Sequence, residues 1–354
     1  MRALYLLKIL FINFLILGIS LEGLSFILIK QKLIPKNLPP SIALEAHKEF
    51  SYWHPLNKKI KISSSCWDSE VEFNSIGLKS SKEIKEKNKI RIAILGDSMT
   101  ENIQLSNEID FAHKLQFLLP EYEIINFSVA STGLADQVDI YNKLIKTFNI
   151  DYIFLFVTEN DLNDNYIKYK RPNRLGYDYF NKKIYEYPRE ELYLKNYFSK
   201  YNAFKRVTLF YLKDFSNTFK LYYHIKYHIS FKLQKNQLEQ AKVNNNDREK
   251  KIQIYKFLKD KFLESLDKNS NLLVFLNIDN KNFLKESSER KTIKIIWGED
   301  NIYDPRNEAI IFLQNINKLK GPYMGFDCDN HYSEIGAEYL SKYVAKIFNE
   351  NKKK

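Results

Sequence analysis

The sequence has no P-loop, no cysteine and histidine cluster at zinc-ligand spacing, and no aromatic strand of the RNP type. These absences set aside a phosphate-cradling loop, a structural zinc module and a common RNA-reading surface. It also lacks G-x-S-x-G, so the nucleophile elbow of the α/β-hydrolases is missing. Cysteine is scarce. Cys66 and Cys328 lie far apart in the chain, enough for one bridge in an oxidising compartment and too few for a disulfide scaffold. Basic charge and aromatic rings, by contrast, are plentiful: the net charge is +12 and Phe, Trp and Tyr make up 15% of the 354 residues. The lysines are scattered through periodic segments, which reads as a solvated surface, and no nucleic-acid partner is expected. A hydrophobic content of 44% is enough for one large domain or two ordinary ones.

The one long apolar run is Ile9 to Ile29, interrupted by Asn13, Ser20, Glu22 and Ser25. It is long enough to cross a bilayer as a helix. No A-x-A cleavage signal ends it, and apolar residues continue past Glu22, so it reads as an uncleaved, single-pass anchor over residues 1–34. Glu22 is costly in hydrocarbon and is expected to find a partner or sit near an interface. Lysines flank the run on both sides, which leaves the positive-inside rule nearly silent. Pro35, Pro39 and Pro40 open a linker, and residues 35–88 read as that linker plus an irregular lead-in, closed by a lysine-rich loop from Lys79 to Lys89.

The main domain, residues 89–350, begins with Ile90 to Leu95, a short apolar run of the kind that forms a buried parallel strand. It stops on Gly96-Asp97-Ser98. A helix follows over Phe111 to Leu119, then a strand over Glu123 to Phe127 that ends in Asn126-Phe-Ser-Val-Ala-Ser-Thr-Gly133. The next pair is a helix over Asp136 to Phe148 and a buried strand over Tyr152 to Val157, which ends in Thr158-Glu-Asn-Asp161. Strand and helix alternating with short links indicate an α/β domain with a parallel sheet. Each strand ends in small or polar residues on the same edge, the edge at which such sheets bind ligands.

Residues 162–250 interrupt this pattern as a largely helical insertion, with a hairpin expected near Asn181 to Tyr187, helices between Glu190 and Ala241, and a polar loop over Gln237 to Arg248. His224 and His228 stand four apart, but no third ligand accompanies them, so no metal is expected. The pattern resumes with a helix over Lys250 to Leu266, a strand over Leu272 to Ile278, a short strand over Thr292 to Trp297 and a helix over Asn307 to Leu319. Phe326-Asp-Cys-Asp-Asn-His-Tyr-Ser-Glu-Ile-Gly336 then leads into a last helix from about Ser333 to Phe348.

These pieces hold the parts of an acyl-transfer site. Ser98 serves as nucleophile, His331 as base and Asp329 as the group that orients the imidazole. Asn160 offers a side-chain amide to the oxyanion, and backbone N–H groups at Ser98 and near Ser131 complete the hole.

Gly96-Asp97-Ser98, the Asn126 to Gly133 block, Asn160-Asp161 and Asp329-Asn-His331 come in that order and resemble the blocks of the SGNH/GDSL hydrolases. Phe73-Asn-Ser-Ile-Gly-Leu-Lys79 and the anchor resemble the lead-in of a membrane-anchored bacterial branch. The resemblance covers roughly residues 70 to 161 and 270 to 349. It implies a flavodoxin-like three-layer α/β/α sandwich and ester hydrolysis through a serine acyl-enzyme without metal or organic cofactor. It further implies an acylated carbohydrate or lipid of the cell envelope as substrate, with the catalytic domain on the extracytoplasmic side. Three positions depart from the family pattern. Ser131 stands where the family has an oxyanion glycine, with Gly133 as the fallback; Thr158 replaces the glycine of the third block; and the acid commonly lies three residues before the histidine, where this chain has Cys328. Asp329, at two, is favoured as the acid over Asp327, at four.

Overall fold

The computed structural model describes residues 2–31, 33, 44–47, 49–64, 66–165, 176–178, 183–185, 216–222, 225–226, 229, 245–278, 283–318 and 323–353. The chain divides into two compact units, one of residues 1–42, 61–68 and 191–243, the other of residues 43–60, 69–190 and 244–354.

In the first unit, α1 (Arg2–Lys30) is one unbroken helix with no acidic residue in its first turn and Lys30 in its last. Its stretch Tyr5–Lys30, 26 residues, is long and apolar enough to span a bilayer, at about 1.5 Å per residue against a hydrocarbon core of about 30 Å. Glu22, the acid inside that stretch, has partners: its carboxylate accepts from Ser216 Oγ at 3.0 Å, Asn217 N–H at 2.5 Å and Thr218 N–H at 3.0 Å. Asn217 to Tyr222 are helical, so the carboxylate caps the start of that turn and satisfies N–H groups with no helical acceptor. His224, His228 and most of the expected helices between Glu190 and Ala241 lie outside the described residues.

The chain ahead of the main sheet has more order than the sequence suggests. Among its described residues, β1 (Glu45–His47) pairs antiparallel with β2 (Ser51–Trp53), and β3 (Lys58–Ser63) forms a second two-stranded sheet with β4 (Asp68–Phe73), while 74–89 carry no helix or strand. The alternating buried and exposed pattern of Asp68-Ser-Glu-Val-Glu-Phe73 is that of a half-buried strand, hidden in the sequence by its high charge. Next come β5 (Ile90–Leu95), α2 (Ser98–Glu101), α3 (Phe111–Leu118), β6 (Tyr122–Asn126), α4 (Leu134–Lys143), β7 (Tyr152–Val157) and α5 (Asp161–Asp164). The hairpin β8 (Gly176–Asp178) with β9 (Lys183–Tyr185) follows. After the insertion come α6 (Asn245–Ser265), β10 (Asn271–Leu276), α7 (Ser288–Trp297), β11 (Ile302–Tyr303), α8 (Arg306–Asn315), the short pair β12 (Gly325–Phe326) and β13 (Asp329–Tyr332), and α9 (Glu334–Asn351).

Two expectations are corrected. Thr292 to Trp297 is helix, not strand: Ser287 caps α7 by accepting the Arg290 N–H, and Ile293, Ile296 and Trp297 recur at helical spacing on the buried side. The polar stretch up to Arg248 is not all loop, because α6 begins at Asn245.

Five strands form one sheet in the order β11-β10-β7-β5-β6, each neighbouring pair parallel. By position in the chain that is the flavodoxin order 2-1-3-4-5. Alternate residues separate the two faces. Ala93, Leu95, Ile153, Leu155, Val157, Val274 and Leu276 pack against α4, α6 and α7, with Trp53 and Leu78 of the lead-in beside them. Ile92, Ile94, Phe154, Phe156, Leu273 and Phe275 pack against α3, α8 and α9. Strands covered on both faces read as continuous apolar runs, and here both sides are filled. The second unit is a three-layer α/β/α sandwich. In this strand order the connections diverge between β5 and β7, and the crevice outside the carboxyl ends of those strands is where such sheets hold ligands.

Candidate active site

Ser98, Asn160 and the loop carrying Ser131 follow the carboxyl ends of β5, β7 and β6, at that divergence. Asp97 caps α2, its carboxylate accepting the Met99 N–H at 3.0 Å. Gly96 is required by space: a Cβ there would lie 2.3 Å from Thr100 Oγ1 and 3.1 Å from Phe156 Cβ. The helical turn bearing Ser98 therefore lies against the strand end.

His331 is delivered by β13, whose hairpin turn precedes α9. Its Nε2 lies 2.8 Å from Ser98 Oγ, and its Nδ1 is hydrogen-bonded to Asp329 Oδ1. The same carboxylate oxygen accepts the His331 backbone N–H at 3.1 Å, which fixes the loop and the ring together. Asp327 is exposed, and the histidine's partner is Asp329. Burial by itself would push His331 down; the hydrogen bond and charge of Asp329, with the charges of Asp97 and Glu101, outweigh it and hold His331 above its ordinary value. Since Asp329 can only accept when ionised, Nδ1 carries the proton and Nε2 faces the serine hydroxyl as acceptor.

Ser131 has φ +63°, in the left-handed region that favours glycine. A residue with a Cβ adopts that region against its intrinsic preference, so the loop holds Ser131 in a conformation that glycine would take more readily. The Gly133 N–H is already donated to Asp136 Oδ2 at 3.2 Å. Asn160 is exposed and donates one amide hydrogen to Asp164 Oδ2 at 2.5 Å. Its Nδ2 carries two hydrogens.

Thr158 has a structural use. Its hydroxyl accepts from Asn277 Nδ2 at 3.0 Å; the same amide reaches Thr100 Oγ1 at 3.3 Å, and Asn277 Oδ1 accepts from Tyr332 OH at 3.2 Å. Asn277, fully buried just past the end of β10, thus joins the Ser98 turn, the β7 end and the His331 loop. Beneath Thr158, Asp161 Oδ2 accepts the Thr158 N–H at 2.9 Å. Burial raises Asp161 well above the usual carboxylate range, and the nearby charge of Asp97 raises it further. Asp97 is also pushed up by burial, against the Met99 N–H, the His331 charge, and hydrogen bonds from Thr158 and Asn160. Asn277 escapes sequence reasoning; a polar residue ending an apolar strand was the available signal for it.

Among the described residues no group of three or more potential metal ligands occurs. A cavity of 690 Å³ lies at the amino end of β7 and β10, lined among others by Tyr152, Asn271, Trp297 and Lys352; Ser98, Asn160 and His331 are not among its walls.

No family model matches the chain, and no curated protein matches it. Solved structures overlap it at low identity. A two-domain esterase active on acetylated mannans, crystallised with mannopentaose, is 11% identical over 75% of this chain, with a TM-score of 0.41; the chain spans 50% of that esterase's length. An acetyl xylan esterase is 13% identical over 73% of this chain and 99% of its own, with a TM-score of 0.40. A lipase/acylhydrolase from Enterococcus faecalis is 10% identical over 74% and 96%, with a TM-score of 0.38.

Proposed function

We propose that the chain is a membrane-anchored serine esterase of the SGNH/GDSL kind, hydrolysing or transferring a small acyl group, O-acetyl first among them, on a carbohydrate or lipid of the cell envelope. The observation that carries this reading is the relay of Ser98 Oγ, His331 Nε2 and Asp329 on one sheet edge, with 2.8 Å between serine and histidine. A module that only bound glycan would have no use for a hydroxyl, an imidazole and a carboxylate in series.

His331 takes the Ser98 proton as Oγ attacks the acyl carbonyl, and Asp329 stabilises the imidazolium that forms. The oxyanion is met by the Ser98 N–H, the Ser131 N–H and an Asn160 amide hydrogen that turns to it from a carboxylate partner, Asp164 or Asp97. As the ester C–O bond breaks, His331 gives its proton to the departing sugar or lipid oxygen, which leaves as the alcohol with acyl-Ser98 behind. Water, activated by the same histidine, releases the acid; a second hydroxyl in its place makes the reaction a transfer. No metal or organic cofactor enters any step.

Two features support the envelope setting. The apolar helix Tyr5–Lys30 is long enough to anchor the chain. Neither Cys66 nor Cys328 is a free thiol; both are disulfide-bonded, as suits an oxidising, extracytoplasmic compartment. The test is hydrolysis of p-nitrophenyl acetate by the full chain in detergent beside Ser98→Ala. Turnover that vanishes in Ser98→Ala supports the reading; equal rates in both proteins refute it.

A further inference from the structure

Ser98 rides on α2, a single turn of four residues. Forming one helical turn is the unfavourable step of helix formation, so a turn this short needs external support. Consecutive positions, two on the turn and the two that follow it, are each tied elsewhere. Thr100 O accepts from Asn126 Nδ2 at 3.0 Å. Glu101 Oε1 meets His54 Nε2 at 2.7 Å, Asn102 O accepts from Lys79 Nζ at 2.7 Å, and Ile103 O accepts from Ser69 Oγ at 2.6 Å. The last three partners all belong to the lead-in ahead of the sheet.

The His54 contact is buried on both sides, with side-chain exposures of 1% and 0%. His54 Nδ1 lies 2.8 Å from the Gly77 carbonyl, which only accepts, so Nδ1 carries a hydrogen. One further proton lies between Nε2 and Glu101, and wherever it rests the pair is neutral overall. The ring is stacked on Phe73 at 4.6 Å, and Trp53 Nε1 donates to Ile76 O at 2.7 Å, which holds the Gly77 turn in place. Gly77 has φ +76°, and a Cβ there would lie 2.7 Å from the Trp53 ring. Lys79 is 7% exposed, and its ammonium bridges Asn102 O and Asp110 Oδ2, each at 2.7 Å. Asn102 in turn donates from Nδ2 to Tyr332 O at 2.9 Å, the residue after His331.

We propose that His54 and Lys79 are positioning residues for Ser98: the lead-in, through the His54–Glu101 pair and the Lys79 bridge, holds the nucleophile turn at hydrogen-bonding distance from His331. The lead-in is then a working part of the active site and not a spacer between membrane and enzyme. This rests on the esterase reading above. Neither side chain touches substrate. Their effect falls on the distance and angle of Ser98 Oγ, to which attack is steeply sensitive.

The test uses the full chain in detergent, well below the melting temperature of each variant, with rates normalised to folded protein. kcat and KM are read with p-nitrophenyl acetate, and the rate of Ser98 modification with a fluorophosphonate. His54→Ala and Lys79→Met are each expected to lower kcat and the modification rate roughly 10- to 100-fold, with KM nearly unchanged. Glu101→Gln keeps a donor for neutral His54, and Lys79→Arg keeps the cation; both are expected to retain most of the wild-type rate. Folded His54→Ala and Lys79→Met proteins with wild-type kcat would overturn the proposal, as would conservative variants that lose as much as the drastic ones. If His54→Ala fails to fold, the contrast between Lys79→Met and Lys79→Arg decides. A wild type unreactive to the fluorophosphonate overturns the esterase reading itself, and the proposal with it.

Discussion

Replacing Asn277 with alanine is expected to cost the folded protein about 3 kcal/mol. Its amide makes hydrogen bonds to Thr158, Thr100 and Tyr332, at 3.0, 3.3 and 3.2 Å, and the residue is fully buried. A buried hydrogen bond contributes about 1 kcal/mol net, so the set amounts to about 3. The loss is not softened by water, because the Tyr332 hydroxyl, which also accepts the Ile278 N–H at 2.7 Å, would be left with a buried donor and no acceptor. The assay is urea unfolding of the full chain in detergent, followed by tryptophan fluorescence, with Asn271→Ala as the control. Asn271 lies at the exposed start of the same strand, where truncation is expected to stay within about 0.5 kcal/mol. A cost below about 1 kcal/mol for Asn277→Ala, or one equal to the control, would refute the reasoning that this amide ties the strand ends together.

Four further outcomes follow. His331 has to lose its proton before it can take one from Ser98, and its partners hold it above its ordinary value near 6.5; the acid limb of kcat/KM is therefore expected above that pH. Asp329→Asn is expected to move that limb down and to reduce kcat by roughly 10³- to 10⁴-fold; an unmoved limb would remove Asp329 from the relay. Asn160→Ala is expected to lower kcat on the order of 100-fold with little change in KM, and a change confined to KM would make Asn160 a substrate-binding residue instead. Arg290 is buried against Asp304 and Glu159 and donates to Asn277 O at 2.7 Å. Arg290→Met removes the buried cation between the two acids, leaving Asp304 with Lys294 at 3.7 Å and Glu159 with the Ser287 hydroxyl, and is expected to destabilise by about 3 kcal/mol; an unchanged melting temperature would count against it.

That Ser98, Asp329 and His331 would share one site was legible in the sequence because each block is local: a strand, a breaker and a polar residue at Ser98, and a carboxylate two positions before an imidazole at Asp329 and His331. Four of the five sheet strands were legible because strands buried on both faces leave uninterrupted apolar runs, as Ile92 to Leu95 and Ile153 to Val157 do; β11, two residues long, is too short to leave such a run. What stayed hidden depends on partners remote in sequence. His54 and Glu101 are 47 positions apart, and Asn277 and Thr100 are 177 apart; no spacing rule joins them. Thr158 looks like a defect in the third block until its hydroxyl is placed as the acceptor for Asn277. Thr292 to Trp297 mimics a strand because Ile293, Ile295 and Trp297 alternate with other residues, yet Ile295 is exposed while Ile296 is buried. Tertiary packing, which the alternation does not encode, chose the helix.

The central claim is that Ser98 carries the acyl group. The most direct measurement is mass spectrometry of peptides from the full chain, quenched in acid during turnover of p-nitrophenyl acetate. An acetyl group is expected on the peptide containing Ser98, absent from Ser98→Ala and accumulating in wild type only above the pH at which His331 becomes neutral. Turnover without acylated Ser98, or an acetyl group that persists in Ser98→Ala at the same level, would contradict it.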